Sequence, residues 1–287
     1  MYKKICINGG GIKGVLFIYS LQLLNKFKLL DNIKEYIGSS VGSILVTLLN
    51  IGYTVDEIIK ISKLEFEKYT NVKILNFISE LGLDNGNKIE KLLKSIIKQK
   101  VNSEITFIEL YKKTKKKLTI TGSCLNDNKT YYFNKDTNPN MKIIKALRIS
   151  ISFIGYFKPV IYNNKVFIDG SFFSPNTEEY YKKTDDLLIL KCSTELREIK
   201  TEELKQINNY YVRFLECIKE RYLNSEKKYE NIINIKFKYF AMNLKLTDEI
   251  RKEMRKIGKK ETLIFIMKNY KKIQKYIAFK KLIRQNI

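Results

Sequence analysis

The sequence predicts an α/β fold, a three-layer sandwich whose central sheet is mostly parallel, with a helical extension at the C-terminal end. Three observations carry this expectation. Two strand–turn–helix units occur within the first fifty residues. Strands and helices then alternate to about residue 200, the order that produces a parallel sheet covered on both sides. Beyond that point the chain becomes lysine-rich with the apolar spacing of helices. The expected organisation is a main domain over residues 1–200 and a Lys-rich helical extension over 201–287 packed on it.

The elements follow in order. Residues 4–8 (KICIN) read as a buried strand ending in Gly9, Gly10 and Gly11, and residues 15–30 show the spacing of a helix packed on a sheet. A second strand, 35–37, enters the turn GSSVG at 38–42, and an apolar helical run at 43–49 follows. Thr54 with Glu57, and Thr106 with Glu109, have capping-box spacing and mark helix starts. A further helix spans 88–97. Residues 118–125 and 130–133 read as two strands around the polar turn Asn126-Asp127-Asn128, and a helix over 141–150 comes next. The three prolines, Pro139, Pro159 and Pro175, fall in one stretch, which suits a rigid functional rim. Within it, strand residues 166–168 lead into Asp169-Gly170-Ser171. Residues 187–192 are expected as the last inner strand. The extension then places Leu204, Ile207, Tyr211, Phe214, Ile218 and Tyr222 on one helical face.

Composition narrows the chemistry. With 287 residues, 44% apolar and 29% charged, the chain can bury a full core, and no run of about 18 apolar residues marks a membrane span. Met1-Tyr2-Lys3-Lys4 runs straight into the first strand, leaving no room for a signal peptide, so a cytoplasmic location is expected. Cys6, Cys124, Cys192 and Cys217 lie far apart without a CxxC pair, so neither disulfides nor zinc are expected. The chain has no histidine. That removes the usual general base, the commonest metal ligand and every Ser-His or Cys-His mechanism, so any acid–base chemistry must use carboxylates. The net charge of +24 steers toward anionic surfaces. Codon bias in an AT-rich genome would produce the same excess of Lys, Ile and Asn. No motif of a nucleic-acid-binding module is present, and no specific nucleic-acid partner is expected.

Three motifs carry chemistry. Gly9-Gly10-Gly11-Ile12-Lys13-Gly14 follows a strand and opens a helix, where backbone N–H groups can meet an anion. It fits GxGxxG, but the second strand ends in Ile37-Gly38-Ser39 with no carboxylate for a ribose, and no GK[ST] supports a P-loop. A structural glycine turn and an oxyanion hole remain. Gly38-Ser39-Ser40-Val41-Gly42 is a GxSxG turn between strand and helix, which pushes its central serine outward. The helix dipole and the Val41 amide can stabilise negative charge beside Ser40. Asp169-Gly170-Ser171 alone reads as a turn. In a chain without histidine, though, Ser40 needs another base, and a strand delivers Asp169 to the sheet edge.

GGGIKG, GSSVG and DGS stand in the order and approximate separation of the patatin-like phospholipases, and the chain resembles that family over about residues 4–195. Lys13 occupies the family's basic position in the glycine loop. Ala146-Leu147-Arg148-Ile149-Ser150 and Tyr156-Phe157-Lys158-Pro159 resemble the block preceding its aspartate. The resemblance implies a Ser40–Asp169 dyad and an oxyanion hole from Gly9, Gly10, Gly11 and Val41, supported by Lys13, Gly14, Gly38, Gly42 and Gly170. It implies hydrolysis of phospholipid or other acyl-lipid esters with no metal or cofactor. The alternative is a catalytically silent member that binds lipid or a partner. Separately from the resemblance, the basic faces of the C-terminal helices suit peripheral contact with anionic membranes, or are solvated faces produced by codon bias. Two positions depart from the pattern: DGS replaces DGG or DGA, and Ile154-Gly155 stands where the family has a small residue followed by proline.

Overall fold

Alternate residues of the first strand face different surroundings: Ile5 and Ile7 belong to the main core, while Cys6 joins a smaller cluster on the opposite side. The same alternation holds on the neighbouring strand, where Leu188 and Leu190 join the main core and Leu187 and Ile189 the smaller one. A sheet buried on both faces requires this pattern of apolar runs. The computed structural model describes residues 1–73, 77, 79–194, 201–205, 207–218, 229–237 and 246–275.

Strand β1 (Lys4–Ile7) passes through a 3-10 turn (Gly11–Lys13) into helix α1 (Gly14–Lys26), and β2 (Glu35–Gly38) passes directly into α2 (Val41–Asn50). Helix α3 (Val55–Ile61), β3 (Gly82–Asp84), α4 (Asn87–Lys98) and α5 (Phe107–Thr114) precede the hairpin β4 (Lys117–Cys124) and β5 (Lys129–Phe133). Then come α6 (Ile143–Ser150), β6 (Gly155–Phe157), β7 (Val160–Tyr162), β8 (Lys165–Asp169) and β9 (Leu187–Thr194). The C-terminal part contributes α7 (Thr201–Leu204), α8 (Ile207–Ile218), β10 (Ile232–Phe237) and α9 (Asp248–Lys268).

The main sheet runs β10-β9-β1-β2-β4-β8-β7, with β5 also paired to β4. The β10, β9, β1, β2 and β4 pairings are parallel; β5, β8 and β7 are antiparallel. The expected α/β class, mostly parallel sheet and C-terminal helices are all present. β9 is an inner strand, as expected, but the C-terminal segment is more than helical, because β10 pairs with β9 and extends the sheet. Its alternation is plain once seen: Ile233, Ile235 and Phe237 are buried and Asn234 and Lys236 exposed. The lysine-rich, helical-looking surroundings obscured that period in the sequence.

Both capping boxes form. Thr54 Oγ1 accepts from the Glu57 amide while Glu57 accepts from the Thr54 amide, and Thr106 and Glu109 do the same. Of the apolar face predicted for 204–222, Phe214 is exposed, Leu204 and Ile218 are half-buried, and the side chains of Ile207, Tyr211 and Tyr222 lie outside the described residues. Opposite the main core, the small cluster is covered by Tyr132, Tyr180, Tyr181 and Tyr229. Among the described residues no helix is long and apolar enough to cross a membrane.

Candidate active site

Parallel pairing sets the level at which the site is assembled. Ile7 pairs with Gly38, and Gly38 with Ile120, so β1 and β2 end side by side, with the glycine loop and the GSSVG turn adjacent. β8 runs the opposite way along the far side of β4, and Asp169 pairs with Gly122, two residues beyond Ile120. Three segments remote in sequence therefore finish at one level of the sheet.

The GSSVG turn is tight and strained. Ser40 has φ 50° and ψ −131°, a conformation that an L side chain adopts only when its surroundings impose it. The imposing contacts are visible. The Ser40 amide donates to Ser150 Oγ at 3.0 Å, and Ser43 Oγ donates to the Ser40 carbonyl at 2.6 Å. Ser39 is buried, and its hydroxyl accepts from Thr177 at 3.0 Å. Gly42 crosses so close to β1 that a Cβ there would lie 2.0 Å from the Ile7 carbonyl oxygen. Gly38 packs against Gly42 in the same crossing, and Gly14 packs against the Val41 side chain. These contacts hold Ser40 between β2 and α2 at 8% exposure.

The segment after α6 ties this turn to Asp169. While Ser150 Oγ receives the Ser40 amide, the Ser150 carbonyl accepts from the Gly170 amide at 3.1 Å. The Ser152 carbonyl accepts from the Asp169 amide at 2.8 Å. Ser152 is itself gripped by Arg148, whose guanidinium donates to Ser152 Oγ at 2.6 Å and to the carbonyls of Asn85 and Lys158 at 3.0 and 3.1 Å. Burial pushes the Arg148 guanidinium below its ordinary value, and the nearby Glu90 and Asp84 carboxylates oppose that shift. Sequence reasoning noted Arg148 and Ser150 only as part of the 146–150 block and passed over Ser152. Their polarity within an apolar helical stretch was the available signal.

Asp169 is 3% exposed, and Gly170 packs against Thr121. Asp169 Oδ1 accepts two bonds from Ser171, from its amide at 2.8 Å and its hydroxyl at 2.6 Å. The departure from DGG thus places a second donor on the carboxylate. Gly9 closes the arrangement from the other side: a Cβ there would lie 2.8 Å from Ser171 Oγ and 3.1 Å from Ser40 Cβ. The glycine loop touches both other motifs at this one residue.

All three motifs line a single cavity of about 450 Å³, to which Gly9, Gly10, Gly11, Lys13, Gly14, Ser40, Val41, Asp169 and Ser171 contribute. The size falls within the roughly 300–1,000 Å³ of small-molecule sites. Apolar side chains from α2, α3 and α4, with Phe153, Phe157, Phe172 and Phe173, form most of the wall. Among the described lining residues Asp169 is the only carboxylate, and Lys13 and Lys191 are the only cations. Lys13 is buried at 3% exposure. Lys191, in the middle of β9, donates to Asn176 and went unnoticed in the sequence because nothing local distinguishes it. Of the three prolines expected on a functional rim, Pro175 lines this cavity and Pro139 and Pro159 do not. Gly38, Gly42 and Gly170 support the turns from behind rather than facing the cavity.

Known proteins resemble this chain in sequence and in fold. The family described as "Patatin-like phospholipase" matches residues 5–181. A probable lipid hydrolase of Invertebrate iridescent virus 6 is 35% identical over 176 residues, 59% of this chain and 59% of that protein. An uncharacterized protein of Acanthamoeba polyphaga mimivirus is 34% identical over 175 residues, 58% of this chain and 57% of the relative. The chain thus spans under two thirds of these relatives' lengths. Among solved structures, VipD from Legionella pneumophila superposes with a TM-score of 0.64 at 16% identity, covering 93% of this chain and 67% of that one. ExoU, in its complex with SpcU from Pseudomonas aeruginosa, superposes with a TM-score of 0.56 at 20% identity, covering 93% and 51%. At these identities the two structures speak to the fold.

Proposed function

We infer the function from a premise of kinship: this chain belongs to the patatin-like phospholipase family, and its cavity has the chemistry of a lipid acyl hydrolase. In this reading Ser40 Oγ attacks the carbonyl carbon of a fatty-acyl ester while Asp169 accepts the hydroxyl proton. The oxyanion is held by amides of the Gly9-Gly10-Gly11 loop and of Val41, each such donor being worth roughly 3–4 kcal/mol in comparable sites. Collapse expels the alcohol, which takes the proton from Asp169. Water, deprotonated by the same carboxylate, then attacks the acyl-enzyme, and Asp169 returns that proton to Ser40 Oγ as the fatty acid leaves. General-base assistance of this kind contributes about 10² to 10⁴ in rate.

The observation that carries the reading is the meeting, in one mostly apolar cavity, of a strained serine and the single carboxylate among the described lining residues, in a chain without histidine. The apolar wall suits an acyl chain, each buried methylene being worth about 0.8 kcal/mol. Lys13 and Lys191 would sit well beside a substrate phosphate, which favours phospholipids as substrates. Residues 1–200 form the reacting unit in this account, and 201–287 an extension packed on it.

The test is a lipid panel analysed by mass spectrometry for released fatty acid. Wild type should hydrolyse at least one acyl lipid class, whereas Ser40→Ala and Asp169→Asn should each lose at least about a hundredfold in kcat, consistent with loss of nucleophile or base. Turnover retained by either variant would reject the dyad.

A further inference from the structure

Helix α9 turns one face inward and leaves the other unpartnered among the described residues. Met254, Gly258, Thr262, Phe265 and Ile266 are buried on the inner face. The contact is close: a Cβ at Gly258 would lie 2.6 Å from the Leu16 carbonyl oxygen of α1, and Ser20 of α1 donates to the Gly258 carbonyl at 3.3 Å. The helix cannot rotate without breaking this packing. Its outer face carries Leu263, Ile264 and Met267, with Tyr270 just beyond the helix end, at 44%, 49%, 73% and 51% exposure. Positions 263, 264, 267 and 270 lie on one side of a helix. Exposed large apolar side chains grouped in this way mark an interaction site.

Charge identifies what would cover them. Between residues 250 and 275 the chain has ten lysines and arginines against two glutamates. Lys252, Lys256 and Lys260 are exposed ahead of the apolar group, and Lys268, Lys271 and Lys272 are exposed at its other end. An apolar island between cationic ends matches an anionic bilayer, whose headgroups meet the lysines while the apolar side chains enter the acyl boundary. Lysine stems can lie along that boundary with their ammonium groups in the headgroup layer, and tyrosine favours the same depth. A second copy of this chain would bring like charges together, the formal net charge being +24. Nucleic acid would satisfy the lysines without using the apolar side chains. We propose that the outer face of α9, centred on Leu263, Ile264 and Met267, docks this protein on anionic membrane surfaces. The helix starts beside the cavity, since Thr247 caps it and the preceding Leu246 lines the cavity wall.

The proposal stands whether or not Ser40 reacts, so the experiment uses full-length Ser40→Ala protein and reads binding alone. Co-sedimentation is measured with phosphatidylcholine vesicles, with and without phosphatidylserine, at low and high salt. Binding should require phosphatidylserine and weaken as salt rises, because surface charge is screened. Adding Leu263→Gln, Ile264→Gln and Met267→Gln together should weaken binding about tenfold or more at the same salt, and Lys260→Gln, Lys268→Gln and Lys271→Gln together should flatten the salt dependence. The apolar positions are exposed, so the fold should survive, and an unchanged circular dichroism melt verifies it. Should the triple variant misfold, Met267→Gln alone, at the most exposed position, should still lose binding severalfold. Equal binding by folded apolar variants overturns the proposal. So does a dimer in solution that these substitutions dissolve without affecting vesicle binding, or a DNA duplex that displaces the vesicles and binds the apolar variant unchanged.

Discussion

Ser40 keeps its positive φ because a hydroxyl, an amide and a neighbouring strand each restrict it: Ser150 Oγ takes its N–H, Ser43 holds its carbonyl, and Gly42 leaves no slack against β1. The Ser150 contact predicts that Ser150→Ala, which leaves the Ser40 amide without that acceptor, lowers kcat about tenfold or more while KM changes little, since ground-state lipid contacts are untouched. Ser171 makes a sharper prediction. A hydroxyl donated to a carboxylate favours its charged form, so Ser171→Gly, which restores the family's usual residue, should move the acid limb of the kcat/KM profile to higher pH. A profile that only scales, without shifting, would give Ser171 a structural role alone. At this scale the sequence was informative where chemistry demands a rare residue type and mute where it demands a common one. GSSVG and GGGIKG were legible because few residues tolerate such crowding. Ser152 and Lys191 looked like any serine or lysine until folding supplied their partners, and Ser150 stood in a resembling block without showing what it binds.

Among the elements, α6 joins the two halves of the site, because its C-terminal turn binds both the GSSVG turn and the Asp169-Gly170 backbone. Arg148 anchors that turn to the small sheet of β3 and β6 through the Asn85 and Lys158 carbonyls. Lysine cannot reproduce the planar fork, and each abandoned buried acceptor costs about 1–3 kcal/mol. Arg148→Lys should therefore lower unfolding stability by about 2–4 kcal/mol in urea melts and depress lipid hydrolysis as well. Helix ends offer a milder test of the fold: Thr54→Ala and Thr106→Ala should each cost about 1 kcal/mol without affecting turnover. Both caps were readable from a four-residue pattern, since a cap is a local bargain between neighbours. β10 was not, because its reason for being a strand lies in β9, some forty residues away in the chain.

For the whole molecule, burial of tyrosine shapes the response to base. Desolvation pushes the hydroxyls of Tyr2 and Tyr36 up to about 12. An unfolded tyrosine ionises near pH 10 while these two stay protonated, so their contribution is complete below pH 10 and is lost as pH climbs toward 12. Stability should fall over that window with a slope of up to about 1.4 kcal/mol per pH unit for each tyrosine. Tyr36→Phe should make the decline measurably shallower, and an unchanged slope would show that other groups govern it. The parallel sheet, the placement of both turns and the cavity at the strand ends follow from alternation and glycine spacing, which act everywhere along the chain. The basic faces of the C-terminal helices were visible in the sequence, but the apolar group on the outer face of α9 was not, because it stands on the same side as the lysines, opposite to the segregation that marks a soluble helix.

The most direct measurement is reaction of the intact protein with a fluorophosphonate, followed by peptide mapping. Attack by Ser40 on phosphorus mimics its attack on an ester carbonyl, so a single adduct on Ser40 is predicted, with much slower labelling in Asp169→Asn. An adduct on another residue, or lipid hydrolysis that continues with Ser40 unmodified, would contradict the account.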